Sequence, residues 1–244
     1  MAKLENEELL ENSSVSLFEP TCCYGRRIVT NVDIVFCIDA TAGMYPIHEE
    51  IKRNAFLFHG QLRETLIEKH RTVNQIRLKV IFFRDVYVDS DAFIESKFFV
   101  LPDEEDAYAA FVNNAVARGG GDEPESGLEA LAKAIASDWV NEGQRRRHII
   151  IIFTDAPAHP LDKPERDSCV QYPSGMPKDL IELEALWRGS MDHAKRLAIF
   201  APNAYPWNGI SYEWDLAVHS PSRAGEGCSE AQMQLVIECI VNMT

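Results

Sequence analysis

Three acids stand where a chain can do chemistry. Asp39 ends the apolar run from Ile34 to Ile38 and is followed by Thr41 and Gly43. Asp155 ends the run from Arg147 to Thr154 in the same way, and Asp122 follows Gly119, Gly120 and Gly121 and precedes Glu123, Pro124 and Glu125. Short continuous apolar runs of this kind read as strands buried on both faces. Such strands deliver their last residue to the carboxyl edge of a parallel sheet, where open α/β sheets bind ligands. Two strand-end acids and a third on a glycine-rich loop can therefore meet above one edge. Capping is the plainer use of the same residues. An Asp or Thr after a strand can accept bonds from the free N–H groups of the next helix. Asp122 with Glu125 likewise resembles a capping box, with Pro124 in the first turn of a helix running to about Val140.

The elements that must position these acids follow from periodicity. Ile47, Ile51, Ala55, Phe58, Leu62 and Leu66, at steps of three and four, predict an amphipathic helix over Met44 to His70. Ile76 to Arg84 reads as a second buried strand ending in Arg84-Asp85, and Ala92 to Leu101 as an antiparallel edge strand. Helices are expected over Asp103 to Val116, Met176 to Lys195, Tyr212 to His219 and Ser229 to Met243, with a short strand over Leu197 to Ala201. Residues 1–27 carry little apolar pattern and read as a tail; residues 28–244 read as the domain.

With 244 residues, 46% hydrophobic and 25% charged, the chain has the composition of one α/β domain. Its net charge of -14 opposes non-specific binding to nucleic acid or an anionic membrane. No stretch reaches the roughly 18 consecutive apolar residues of a membrane span, and the acidic N-terminus lacks the basic-then-apolar signal-peptide pattern, so a cytoplasmic location is expected. The six cysteines form no C-x-x-C pair and read as free thiols.

From Ile28 onward the sequence resembles the von Willebrand factor A domain. The residues that carry the likeness are Asp39-Ala-Thr-Ala-Gly-Met44, Phe83-Arg-Asp85, Gly119 to Glu125 and Thr154 to His159, which follow an intracellular-type subgroup's D-x-T-G-S-M, Y-R-D, G-G-G-D-x-P-E and T-D-A-P-x-H in order. The resemblance implies a doubly wound, mostly parallel open sheet with one antiparallel edge strand and helices on both faces. It further implies a metal-ion-dependent adhesion site for Mg²⁺ or Mn²⁺, with Asp39, Thr41 and Gly43 from the first loop, Asp122 from the second and Asp155 from the third. Gly43 stands where the family has Ser, and so removes a hydroxyl. Asp122 stands where the commoner family has Thr, and so adds a charge.

Such a set suits Mg²⁺, which takes about six hard oxygen ligands and keeps several waters. The function implied is a cytosolic scaffold or regulator that binds a protein partner, such as a kinase or phosphatase, without catalysis. His159 and Asp85 are candidates for partner contact, against a local hydrogen-bonding role for His159 and a loop-fixing ion pair for Arg84-Asp85. Two other readings stay open. A strand-end Asp with Mg²⁺ could attack phosphorus as a phosphohydrolase, although Thr41 occupies the place of the second Asp that the haloacid-dehalogenase-like pattern wants. The other is a fold of this type that has lost its metal through Gly43.

Overall fold

The computed structural model describes residues 29–121, 123–189, 194–221 and 230–244. The sheet strands are β1 (Thr30–Asp39), β2 (Gln75–Phe83), β3 (Phe93–Glu95), β4 (Phe99–Leu101), β5 (Arg145–Phe153), β6 (Lys195–Ala201) and β7 (Ala217–Pro221). Their order is β3-β2-β1-β5-β6-β7, with β4 also on the outer side of β2. All ten residues of β1 are buried. It lies between β2 and β5, parallel to both, with Ile34 opposite Leu78 and Ile149. A strand with neighbours on both sides and helices on both faces has nowhere to place a polar residue except its ends, which is why its middle is uniformly apolar.

The helices are α1 (Tyr45–Glu68), α2 (Glu105–Asn113), α3 (Gly127–Ile135), α4 (Leu180–Gly189), α5 (Trp207–Glu213) and α6 (Glu230–Met243). Strand alternation sorts the core into two layers. Ile34, Phe36 and Ile38 pack with α1, α2 and α6, whereas Val35 and Cys37 pack with α3, α4 and α5. The fold is thus doubly wound α/β with a mostly parallel sheet, as expected, and the apolar stripe of α1 is buried from Ile47 to Leu66. Cys37, Cys169 and Cys239 are free thiols. No helix among the described residues is long and apolar enough to cross a membrane.

Several expectations need correction. The single edge strand over Ala92 to Leu101 is two short ones. Ser96 interrupts it by turning its hydroxyl to accept the Val80 N–H at 2.9 Å while its own N–H bonds the Val80 carbonyl at 2.9 Å. The segment over Tyr212 to His219 is not a helix: α5 comes earlier, because Trp207 and Ile210 give it a buried side, and Ala217–Pro221 pairs parallel with β6. Helix α3 begins after Pro124 and stops at Ile135 instead of near Val140. The chain beyond it is captured when the Val140 N–H donates to Asp33 Oδ2 at 2.7 Å. That carboxylate is fully buried and also accepts from Arg77 Nε at 2.8 Å, tying β1 to β2 at their amino ends. The expected tail, residues 190–193 at the end of the fourth expected helix, and Ser229 lie outside the described residues.

Trp207 links this core to the carboxyl edge. Its ring is fully buried and its indole N–H donates to the Ala156 carbonyl at 3.0 Å. A Cβ added at Gly127 would lie 2.7 Å from Trp207 Cζ2. Overpacking of this kind costs about 1–3 kcal/mol. Gly127→Ala is therefore expected to lower the urea midpoint by a corresponding amount, and an unchanged midpoint would show that the indole can move aside.

Candidate metal centre

Asp39 is the last residue of β1 and is fully buried. A carboxylate placed there must be satisfied locally, since burying an unpaired charge is costly. Asp39 Oδ1 accepts the Thr41 N–H at 2.9 Å and the Thr41 hydroxyl at 2.7 Å, and Oδ2 accepts the Thr154 hydroxyl at 2.6 Å. Burial pushes the Asp39 carboxyl up to about 6, against the downward pull of these three bonds and with a smaller push from Asp155. Behind it, His48 Nε2 lies 2.8 Å from the Asp39 carbonyl oxygen, which fixes the proton on Nε2 because a carbonyl only accepts. Burial lowers the His48 pKa.

The third loop meets the first at Gly43. A Cβ built on Gly43 would lie 2.8 Å from Asp155 Oδ2, so the Asp155 carboxylate occupies the space a serine at 43 would need. Gly43 thus supplies no oxygen of its own and leaves room for one from Asp155. The second loop comes in through Gly119 and Gly120, both at φ +69, a conformation that glycine adopts without strain. Asp89 Oδ2 accepts the Gly120 N–H at 2.9 Å, and a Cβ at Gly120 would lie 2.9 Å from Thr41 Cγ2 and 3.0 Å from Glu125 Oε1. Asp122, the ligand expected from this loop, lies outside the described residues.

Glu125 was legible only as a capping partner, and the structure gives it another place. It forms an isolated parallel bridge with Ala158, donating its N–H to the Pro157 carbonyl at 3.0 Å and accepting the His159 N–H at 2.8 Å. Its side chain is buried near Thr41, and Oε2 has no hydrogen-bond partner among the described residues. Burial, and then the charges of Asp39, Asp85, Asp89 and Asp155, push its carboxyl up to about 9. Thr154, which opens the motif Thr154 to His159, is a hydroxyl just before Asp155 and so a signal of the same kind as Thr41.

Arg84 and Asp85 hold the loops rather than each other. The Arg84 guanidinium is buried and donates to the carbonyls of Ala40 at 3.1 Å, Asp91 at 2.9 Å and Val116 at 2.9 Å. Asp85 instead faces His159, whose Nε2 lies 3.2 Å from Oδ1, and it accepts the Tyr87 N–H at 2.8 Å. Burial raises the Asp85 carboxyl, but His159 and the Tyr87 N–H outweigh it and hold it below the usual range. Their side chains are 4% and 7% exposed, so the expectation that Asp85 and His159 touch a partner gives way to a bracing role between the second and fifth strands.

Among the described residues no three acidic, histidine or cysteine side chains gather closely enough to enclose a metal ion. The donors that do converge are hard oxygens on an open edge, with a buried orphan carboxylate oxygen beside them. That chemistry fits a divalent cation that keeps several of its waters, and not a closed cage.

The fold has solved counterparts. The pilus adhesin SpaC from Lactobacillus rhamnosus GG superposes with a TM-score of 0.56 at 11% identity, covering 88% of this chain and 31% of that one. A von Willebrand factor type A protein from Catenulispora acidiphila gives 0.53 at 14% identity, covering 88% and 43%. The chain therefore spans less than half the length of either. No family model and no curated protein matches the sequence. At these identities the likeness is one of fold, and that fold is the von Willebrand factor A fold.

A carboxyl whose pKa is raised on folding makes the native state bind more protons than the unfolded one, so stability falls as pH rises from the unfolded pKa to the folded one. For Glu125 that window runs from the ordinary glutamate value of 4.5 to about 9. In chelator, the thermal midpoint is expected to fall across this range. Glu125→Gln should flatten the fall and stabilise the protein near pH 8 by at least about 1 kcal/mol. Parallel pH profiles for the two proteins would exclude Glu125 as the site of the excess proton.

Proposed function

We propose that this von Willebrand factor A fold serves as a metal-dependent protein-interaction module, acting in the cytoplasm as a scaffold or regulator and without turnover of a substrate. The observation that carries the reading is the convergence of Asp39, Thr41 and Asp155 at the carboxyl edge, beside the unpartnered Oε2 of Glu125. Asp39, Thr41 and Asp155 would hold the cation, Mg²⁺ or Mn²⁺, with Asp122 supplied by the second loop. When bound, the cation offers a coordination position to an oxygen of the partner.

The residues around that position favour a protein partner. Tyr45, Val88 and Val116 lie on three segments at this edge and are 59%, 56% and 55% exposed. Exposed apolar side chains grouped at one edge suit contact with a protein surface. The charge of the site selects among partner oxygens. Asp39, Asp122 and Asp155 ionised carry three negative charges, leaving about one after a divalent cation binds. A neutral partner oxygen, from an amide or a hydroxyl, is then preferred to a carboxylate.

A module without turnover is supported by the way the polar groups of the site are already engaged. Asp39 has both oxygens engaged by hydroxyl and N–H donors, and His159 is turned to Asp85.

Cation binding is expected to raise the thermal midpoint by mass action, worth about 2.7 kcal/mol at a hundredfold excess over Kd. Unfolding would be followed in chelator and in millimolar Mg²⁺ or Mn²⁺. Asp39→Asn should abolish the response, and capture of protein partners from the source cell should require the cation, naming a kinase, a phosphatase or another class. A midpoint indifferent to cation, together with capture that survives chelator, would replace this reading with a fold that binds through its surface without metal.

A further inference from the structure

The opposite edge of the sheet carries a different charge. The amino ends of β2, β5 and β6 bring together Arg71, Arg145, Arg147 and Arg196 on the side of α1 and α6. Burial, and then the charges of Arg196, Arg145 and Arg71, depress the pKa of Arg147. Beside them, between the C-terminal end of α1 and the start of β2, opens a pocket of about 410 Å³ whose polar lining includes His59, Arg63, Arg71, Asn74 and Gln75. No acid lines it among the described residues, although Glu105 approaches His59 Nδ1 to 3.8 Å from outside the lining.

Cations at helix C-termini are ordinarily stabilising, and Arg147 is used in this way, donating from Nε to the Met243 carbonyl at 3.0 Å. That role does not absorb the others. The side chains of Arg63, Arg71 and Arg145 have no acid and no hydrogen-bond partner among the described residues. Their guanidiniums face solvent and are free to take an anion.

We propose that this amino-edge pocket is a binding site for a compact, phosphate-bearing small ligand. Its volume lies within the range of about 300–1,000 Å³ typical of small-molecule sites. Arg63 and Arg71 offer planar forks that match phosphate oxygens in pairs. Asn74 accepts the Thr30 N–H through Oδ1 at 2.9 Å, which leaves its NH₂ as a further donor. The apolar floor from Leu66 and Ile76 accommodates the uncharged body of the ligand. The acidic charge of the chain as a whole disfavours an extended polyanion such as nucleic acid, whose footprint would overrun the basic patch.

The site is tested with inorganic tripolyphosphate as the probe, titrated by calorimetry into the full chain at physiological ionic strength. Chelator is present throughout, so that the carboxyl edge takes no part. One saturable site is expected, and Arg63→Gln with Arg71→Gln should weaken it at least tenfold. Both residues are exposed and unpartnered among the described residues, so folding should be unaffected. Arg188→Gln, which removes a distant surface pair with Glu184, should leave binding unchanged. Absence of saturable binding, equal weakening by Arg188→Gln, or tighter binding of a single-stranded oligonucleotide than of tripolyphosphate would each overturn the proposal.

Discussion

A carboxylate buried at the end of the central strand is the constraint on which the rest of this structure depends. Asp39 cannot reach water, so its charge has to be met by groups brought to it. Thr41 does so from the same loop, and Thr154 does so from the neighbouring strand. The last bond fixes the spacing of the first and third loops, and with it the contact of Asp155 against Gly43. The site is thus a consequence of satisfying one buried acid.

Neighbouring loops are held by the same logic with the opposite sign. Arg84, buried beside Asp39, satisfies its donors on backbone carbonyls of three segments, Ala40, Asp91 and Val116. Asp85 and His159 clasp the loops after β2 and β5, while Glu125 and His159 share a backbone bridge. These contacts between loops brace the edge into a frame. Glu125 Oε2 is among the buried side-chain atoms left without a hydrogen-bond partner, and it is the carboxylate oxygen that lies beside Thr41, where a cation or its water could meet it.

The parallel winding of the fold also explains why the two edges differ in charge. Helices that follow parallel strands begin at the carboxyl edge and end at the amino edge. Their positive ends therefore face the acids and their negative ends face the arginines. Helix α1 starts two residues after Gly43, and α3 starts two residues after Glu125. Helix dipoles soften the repulsion within each cluster without cancelling it. That leaves an acidic edge suited to a cation and a basic edge suited to a phosphate, on opposite ends of one sheet.

Much of this was written in local pattern. The apolar runs ending in Asp39 and Asp155 set the central strands, and the three- and four-residue steps from Ile47 to Leu66 set α1, because periodicity and burial are properties of short segments. The glycines at 119 and 120 announced a loop approached closely from the side, and Asp89 and Thr41 are what approach it. Other features had no local signature. Ser96 splits the edge strand through a bond to Val80, and Ala217–Pro221 is a strand only because β6 lies beside it. Glu125 looked like a cap because a capping box is a spacing along the chain, while its actual environment is made by four acids from three other loops. Asp85 and His159 looked available to a partner, and only the packing of two distant loops turned them toward each other. The sequence by itself determined the central strands, the buried face of α1 and the placing of Asp39 and Asp155 at the sheet edge. The tertiary structure decided which of those acids are paired, which is left without a partner, and where the arginines gather, because charge and hydrogen bonding act between loops far apart in the chain.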